Sequence, residues 1–328
     1  MKKFETMRAK LKEKVEKREL VVAPGAYDAL TARVVEKAGF EAVYITGHGT
    51  GAGMLAWTDV GMTTMTEMAN NARNICNAVN IPVIADMDTG YGNAVNVVRA
   101  VREFEQAGVA AFHIEDQVTP KKCGFMKGKM CIAMEEMIGK IRAAVEARED
   151  PNLLIITRCD ARAPLGVEEL YKRCQAYFKA GADVIFAEAP LKKEDVVEDA
   201  KWAKSINAPL LLNGLRHGFS VPEIAALKYV FLILPGIAFT VAPKAVYDVL
   251  MEFKQTGRYP DLEREGKAFP FPVIQELIRL PEVRNYEERF LPQEERMARW
   301  GSEAVPEDYF RTLGYFPEKA GEKDRKGT

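Results

Sequence analysis

No stretch of the 328 residues is apolar enough, for long enough, to span a bilayer, and the opening MKKFETMRAKLKEKVEKRE lacks the apolar core of a signal peptide. From these absences a cytoplasmic protein is expected. Charge of one sign is missing too: 46 Lys and Arg face 47 Asp and Glu, a formal net charge of −1. Such a balance offers no footprint for nucleic acid or an anionic membrane surface, so neither is expected as a partner. Cysteines are few and odd in number, Cys76, Cys123, Cys131, Cys159 and Cys174, and none forms a CxxC pair. That speaks against a disulfide framework and a zinc knuckle, and predicts reduced thiols. Cys76 and Cys174 fall inside helical patterns and read as small buried hydrophobes. Absent as well are GxGxxG and GxxxxGK[ST], the phosphate turns that usually mark an open doubly wound sheet.

What is present repeats. Eight β-branched apolar runs, ELVVAPGA, EAVYITGHG, PVIADMDTG, AAFHIEDQ, LLIITRCDA, DVIFAEAP, PLLLNG and YVFLILPG, alternate with segments of helical spacing such as NAVNVVRAVREFEQAG and GVEELYKRCQAYFKAG. The segments EKAGFEAVYI, EQAGVAAFHI and FKAGADVIFA each end a helix on Ala-Gly and enter a strand at once, as glycine at a left-handed helix stop allows. The pattern predicts a (β/α)₈ TIM barrel over residues 1–256. Residues 257–328 read as a C-terminal extension: the stretch from Arg258 to Pro292 holds two short helices and too little apolar content for its own core. Phe269, Phe271, Phe290, Leu291 and Trp300 are expected to pack on the barrel or a neighbouring subunit, and PEKAGEKDRKGT to be a frayed tail.

In such a barrel the chemistry lies where strands end and βα loops begin. The second strand ends in Tyr44-Ile45-Thr46-Gly47, the third in Asp86-Met87-Asp88, the fourth in Glu115-Asp116, the fifth in Arg158-Cys159-Asp160, the sixth in Glu188 and the seventh in Asn213. A single acid at a strand end is usually a turn former. Several carboxylates converging without a counter-ion would repel and lose solvation, whereas a cation offsets both costs, so a bound ion is expected. Asp86 and Asp88, two apart on an extended backbone, would point to the same side, with Glu115 beside them. All are hard oxygen donors and no histidine joins them, which suits Mg²⁺ or Mn²⁺ rather than zinc. Of the three histidines, His113 reads as a packed structural residue, His48 as a candidate for the mouth, and His217 as solvated or structural.

The loop after the fourth strand, Gln117-Val118-Thr119-Pro120-Lys121-Lys122-Cys123-Gly124-Phe125, sets a thiol among lysines, with Gly124 and Gly128 allowing closure. Lysines favour the thiolate, and a glycine-hinged loop can close over a site.

These residues resemble the isocitrate lyase and phosphoenolpyruvate mutase superfamily, especially its methylisocitrate lyase and dimethylmalate lyase branch. The resemblance runs through PGAYDALTARVVEKAGFEAVYITG, DMDTGYG, HIEDQ, PKKCGF, TRCDAR and FAEAP, over roughly residues 20 to 250. It implies a barrel whose eighth helix is exchanged with a neighbour in a dimer of dimers, hence a homotetramer. It implies Mg²⁺ held directly by Asp88, with Asp59, Asp86 and Glu115 reached mainly through water. By the same similarity Tyr44, Thr46 and Gly47 would bind a 2-oxo acid carboxylate, Arg158 would hold the substrate from the opposite side, and Glu188 and Asn213 would complete its surroundings. Cys123 matches the catalytic cysteine of the lyases, which the mutases lack. Tyr44, Arg158 and Cys123 are thus the catalytic candidates, with His48, Gly124 and Phe125 beside the substrate. Three residues depart from the lyase pattern: Phe125 replaces a histidine, His48 replaces a small residue, and Thr240 stands where a methylisocitrate lyase carries arginine.

The expected activity is Mg²⁺-dependent cleavage of a substituted malate, of the 2-methylisocitrate or 2,3-dimethylmalate type, to pyruvate or glyoxylate and a carboxylic acid. Two alternatives stand beside it: an oxaloacetate decarboxylase or hydrolase or a phosphonate mutase on the same scaffold, and a non-catalytic protein that binds a metal and an oxo acid.

Overall fold

The computed structural model describes residues 2–300 except 125, 216 and 217, with backbone alone at 299 and 300. Phe125, His217, the Trp300 side chain and the tail lie outside the described residues. The chain forms two compact units, Met1–Ala242 and Pro243–Thr328.

The first unit is a parallel barrel. Its strands are β1 (Val21–Ala26), β2 (Val43–Ile45), β3 (Val83–Asp86), β4 (Ala111–Glu115), β5 (Leu154–Cys159), β6 (Val184–Ala187), β7 (Leu211–Asn213) and β8 (Phe231–Leu234). They are hydrogen-bonded in the order β6-β5-β4-β3-β2-β1-β8-β7. A parallel bridge between Ile185 and Leu210, with the Ile185 N–H donating to the Pro209 carbonyl at 2.9 Å, joins β6 to the start of β7 and nearly closes the ring. All eight predicted strands are present. The predicted second strand is shorter than its apolar run, because at Gly47 the chain turns into the helix Gly47–Leu55, capped by the Thr46 side chain accepting from the Gly49 N–H at 3.1 Å.

Side-chain parity divides the core in two. Tyr44, Ile84, Ala111, Ile156, Phe186, Leu211 and Ile233 pack inside the barrel, together with Leu11 and Val15 of the N-terminal helix Lys2–Glu16. Ile45, Ala85, Phe112, Ile155, Ile185 and Leu232 face outward against the helices. Strands buried on both faces read as continuous apolar runs, which is why the sequence signal was strong. The Ala-Gly repeat is a true helix stop: Gly39, Gly108 and Gly181 have φ of 87°, 100° and 114°. Cys76 and Cys174 are buried in the helices Met65–Ala78 and Val167–Lys179, and no disulfide joins any of the five cysteines among the described residues.

The helix after β8, Ile237–Thr256, runs across the boundary between the units and carries no buried residue. In the second unit the stretch from Arg258 to Pro292 forms the two short helices expected, Phe271–Leu277 and Leu280–Phe290, and a third, Gln293–Trp300, follows. Among its described residues only Pro260 and Leu277 are buried, and Phe269 and Phe290 are exposed. No described helix is long and apolar enough to cross a membrane.

Candidate active site

The inward parity of the strands continues past their carboxyl ends and sets the site. From β2 it delivers Tyr44 and Thr46, from β3 Asp86, from β4 His113 and Glu115, from β5 Arg158, from β6 Glu188 and from β7 Asn213. Of these only Asn213 is less than fully buried. Asp116 has the opposite parity and faces outward. It accepts hydrogen bonds from the Asp160 N–H (2.8 Å), Tyr177 Oη (2.9 Å) and Cys159 Sγ (3.2 Å), and so ties β4 to β5 and the helix Val167–Lys179 instead of serving the mouth as its strand-end position suggested.

The extended-backbone argument for Asp86 and Asp88 does not hold. Asp88 has φ 47°, a left-handed conformation just past the end of the strand at Asp86, and its N–H donates to Asp86 Oδ1 at 2.9 Å. The kink still leaves both carboxylates buried. Between the acids lies Lys121, whose Nζ is 2.5 Å from Asp59 Oδ1 and 2.8 Å from Asp88 Oδ1. Burial works against the Lys121 charge, yet Asp88, Asp86, Glu115 and Asp59 outweigh it and hold its pKa well above the ordinary lysine value. Burial lifts the Asp88 carboxyl above the aspartate range despite Lys121, and pushes Glu115 well up despite Arg158. Four carboxylates therefore share one lysine and part of one arginine. An oxygen-only donor set short of positive charge fits a hard divalent cation, which would relieve the two strained acids.

Arg158 is clamped. Its Nε and Nη2 donate to Asp160 Oδ2 and Oδ1 at 2.8 and 2.9 Å, with Glu115 Oε2 at 3.2 Å, Glu188 Oε1 at 3.8 Å and the Phe186 ring centroid 5.2 Å away. Lys129 also reaches Asp160 Oδ1, at 2.8 Å, and the Gly124 carbonyl at 2.9 Å. Arg158 and Lys129 overcome the burial of Asp160 and hold its carboxyl below the usual aspartate range. Across the lumen Glu188 Oε2 and Asn213 Oδ1 have no hydrogen-bond partner among the described residues. Tyr44 Oη lies 2.8 Å from His113 Nε2, with the rings stacked at 5.8 Å. Burial, with Arg158 and Lys121 adding to it, takes the His113 pKa down to about 3, and burial raises Tyr44 well above its usual value. Both are uncharged at neutral pH, and His113 is the packed residue its strand position predicted.

The thiol loop lies down on this site. Gln117 bridges loop and strand: its Nε2 donates to Glu115 Oε1 at 2.9 Å and to the Lys122 carbonyl at 2.8 Å, while its Oε1 accepts from the Lys122 N–H at 3.0 Å. The Cys123 N–H donates to the Asp59 carbonyl at 3.0 Å. A side chain at Gly124 would collide with Glu188 Oε1 and Arg158 Nη2, and one at Gly47 with the Asp86 carboxylate, so both close approaches depend on glycine. Cys123 Sγ faces His48 Nδ1 at 3.9 Å, and His48 packs on Phe239 with ring centroids 4.7 Å apart. Beyond the loop a cavity of about 550 Å³ opens between Met126, Lys127, Pro164, Pro190 and Leu191.

A family model described as phosphoenolpyruvate phosphomutase matches residues 10–253. The chain belongs to the phosphoenolpyruvate phosphomutase family. A 2,3-dimethylmalate lyase from Eubacterium barkeri is 42% identical over 86% of this chain and 97% of its own length. A 2-methylisocitrate lyase from Aeropyrum pernix is 44% identical over 77% of this chain and 81% of its own. The crystal structure of a phosphonopyruvate hydrolase in complex with oxalate and Mg²⁺ aligns with a TM-score of 0.79 at 32% identity, covering 87% of this chain and 99% of that one. This member of the phosphoenolpyruvate phosphomutase family is an enzyme on a scaffold that carbon–carbon lyases use.

The family barrel brings together Tyr44, Thr46, Gly47, Asp86, Asp88, Glu115, Arg158, Glu188 and Asn213 as the strand ends suggested, and it adds Asp59, Cys123 and Gly124 from loops and His48 from the helix Gly47–Leu55. Sequence reasoning missed Lys121 as the amine among the acids, Gln117 as the strap of the loop, and Asp160 with Lys129 as the clamp on Arg158. Asp160 carried a usable signal, since it lies two residues beyond Arg158 at the same strand end. Lys121 carried none beyond its neighbourhood to Cys123.

Proposed function

We propose that this enzyme is a Mg²⁺-dependent carbon–carbon lyase, with Mn²⁺ an acceptable substitute, that cleaves a substituted malate to pyruvate or glyoxylate and a carboxylic acid. One observation carries the reading: Gly124 of the thiol loop rests on Arg158 and Glu188, which closes the loop of Cys123 over a mouth lined with underneutralised acids. Asp88 would hold the ion, with Asp59, Asp86 and Glu115 around it. When bound, it would supply Lewis acidity to the substrate's C2 oxygen, whose hydroxyl proton one of the surrounding carboxylates would accept.

The chain's own groups account for the rest. The Thr46–Gly47 helix start offers backbone N–H groups and a helix dipole to the carboxylate next to C2. Tyr44 is a fixed neutral phenol held by His113, suited to donating a hydrogen bond, not to removing a proton. Arg158, locked by Asp160, offsets the negative charge that builds on the C3 fragment as the C2–C3 bond breaks and its electron pair moves to C3. Cys123 donates the proton that ends that fragment as a neutral carbon. The closed loop keeps water from doing so first. After β8 the chain presents Phe239 and Thr240, the latter donating to the Gly236 carbonyl at 2.7 Å, where a cation would serve a third carboxylate. This favours a compact alkylmalate of the 2,3-dimethylmalate type over a tricarboxylate.

The proposed assembly is a homotetramer in which the helix Ile237–Thr256 is covered by a second copy. Ile237, Val241, Val246, Tyr247, Leu250 and Phe253 are exposed on it, more apolar surface than a helix facing water normally carries. Light scattering should give a mass of four chains. The test of the activity is product analysis of 2,3-dimethylmalate, 2-methylisocitrate, isocitrate and oxaloacetate incubated with the Mg²⁺-loaded enzyme. Release of a 2-oxo acid from a substituted malate, lost in Cys123→Ser, is the expected result. Turnover of oxaloacetate alone would overturn it.

A further inference from the structure

We propose that His48, Asp59 and Cys123 form a second metal site, for a thiophilic divalent cation of the Zn²⁺ class, that captures the loop thiol and locks the loop shut. Each residue offers one ligand atom, and these atoms all lie within 4.8 Å of one another. The three donors come from three separate segments: His48 from the helix Gly47–Leu55, Asp59 from the loop after it, and Cys123 from the loop after β4. The backbone already links two of them through the Cys123 N–H to Asp59 carbonyl bond at 3.0 Å.

The donor chemistry distinguishes this site from the oxygen-only mouth, which it adjoins through the shared Asp59. Sulfur, imidazole nitrogen and one carboxylate oxygen select zinc, cobalt or cadmium, whereas Mg²⁺ prefers carboxylates and water. Around tetrahedral zinc, sulfur and nitrogen ligands sit about 3.5 Å apart, from bond lengths of about 2.3 and 2.0 Å. The Sγ to Nδ1 distance of 3.9 Å is already close to that. Three protein ligands leave a fourth position for water, the pattern of an exchangeable and not a structural ion. All three residues are half-buried, so the ion can enter from solvent. Binding holds the loop to the Gly47–Leu55 helix and occupies the thiol that the proposed lyase reaction needs as its acid. The inhibition therefore rests on the lyase reading, while the binding does not.

The test is a Co²⁺ titration of the full-length protein in millimolar Mg²⁺, following the near-ultraviolet thiolate-to-cobalt charge-transfer band. One Co²⁺ per chain is expected. The band should vanish in Cys123→Ser, and affinity should fall at least about ten-fold in His48→Ala and in Asp59→Asn, since even outer contacts to a metal ligand are worth that much. A band that survives in Cys123→Ser, an unchanged affinity in His48→Ala, or displacement by Mg²⁺ overturns the proposal. Zn²⁺ should then inhibit turnover reversibly in wild type, with chelator restoring it. Should Co²⁺ bind as described while turnover continues, the metal site stands and the acid role of Cys123 falls.

Discussion

Replacing Gly124 by alanine asks one methyl group to share space with two side chains that have nowhere to go. The added carbon would collide with Glu188 Oε1 and Arg158 Nη2. Glu188 is 1% exposed, and both oxygens of Asp160 hold Arg158, so neither retreats cheaply. The loop must lift instead, by about 1 Å or more to restore an ordinary contact near 3.5 Å. A misplacement of about 1 Å in a positioned catalytic group costs roughly 100-fold in rate, equivalent to about 2.7 kcal/mol of transition-state stabilisation. The loop lies outside both halves of the core, so folding should hardly register the change: about 0.5 kcal/mol, or roughly 2 °C in Tm. For the proposed reaction the assay is steady-state release of 2-oxo acid from a substituted malate, coupled to a lactate dehydrogenase, beside a thermal melt of the same preparation. A kcat within two-fold of wild type would refute the claim that this loop works in the position the structure gives it.

Further predictions follow from the same geometry. Asp160→Asn breaks a buried charge network that holds Arg158 and Lys129, and should lower stability by about 3 kcal/mol, roughly 6–12 °C; a melt within 2 °C of wild type would contradict it. Asp88 and Glu115 have folded pKa values raised above their ordinary ones, so the folded metal-free protein holds extra protons as pH falls from neutral towards the usual carboxylate range, and gains stability there. Bound Mg²⁺ needs both acids ionised, so the gain in Tm on adding Mg²⁺ should be largest at neutral pH and above and shrink on acidification; a constant gain across that window would count against these acids as ligands. Brief iodoacetamide treatment of the native enzyme should label Cys123 alone. Cys159 and Cys174 are buried, and burial takes the thiols of Cys76 and Cys131 up to about 12, so peptide mapping that finds any of these four modified first would contradict the burial.

The barrel was legible because its strands are buried on both faces and its helices stop on glycine; both properties are local and leave a mark in the residues themselves. The inward parity of Tyr44, Glu115 and Arg158 could be counted from the strand ends. Asp88 could not, because a left-handed residue interrupts the alternation on which the count depends. Lys121 and Gln117 escaped for a related reason: loop residues take their places from what the loop lies against, and no periodicity records that. Parity also accounts for the error over Asp116, which shares a strand end with Glu115 but turns its side chain to the outer layer.

The N-terminal helix has a consequence for traffic through the enzyme. Leu11 and Val15 fill the lower end of the lumen, and Arg8 fastens the helix there by donating to the Val109 carbonyl at 2.9 Å and to the Glu105 carbonyl. The lumen thus has a floor made by the chain's own N-terminal helix, so traffic through the proposed site would use the strand-end mouth that carries the acids. On the proposed reaction, a 2-oxo acid held against the Gly47 helix would lie beneath the fragment under the thiol loop, and that fragment would leave first. Product release would then be a queue, in which the 2-oxo acid would compete with fresh substrate and the other fragment would not.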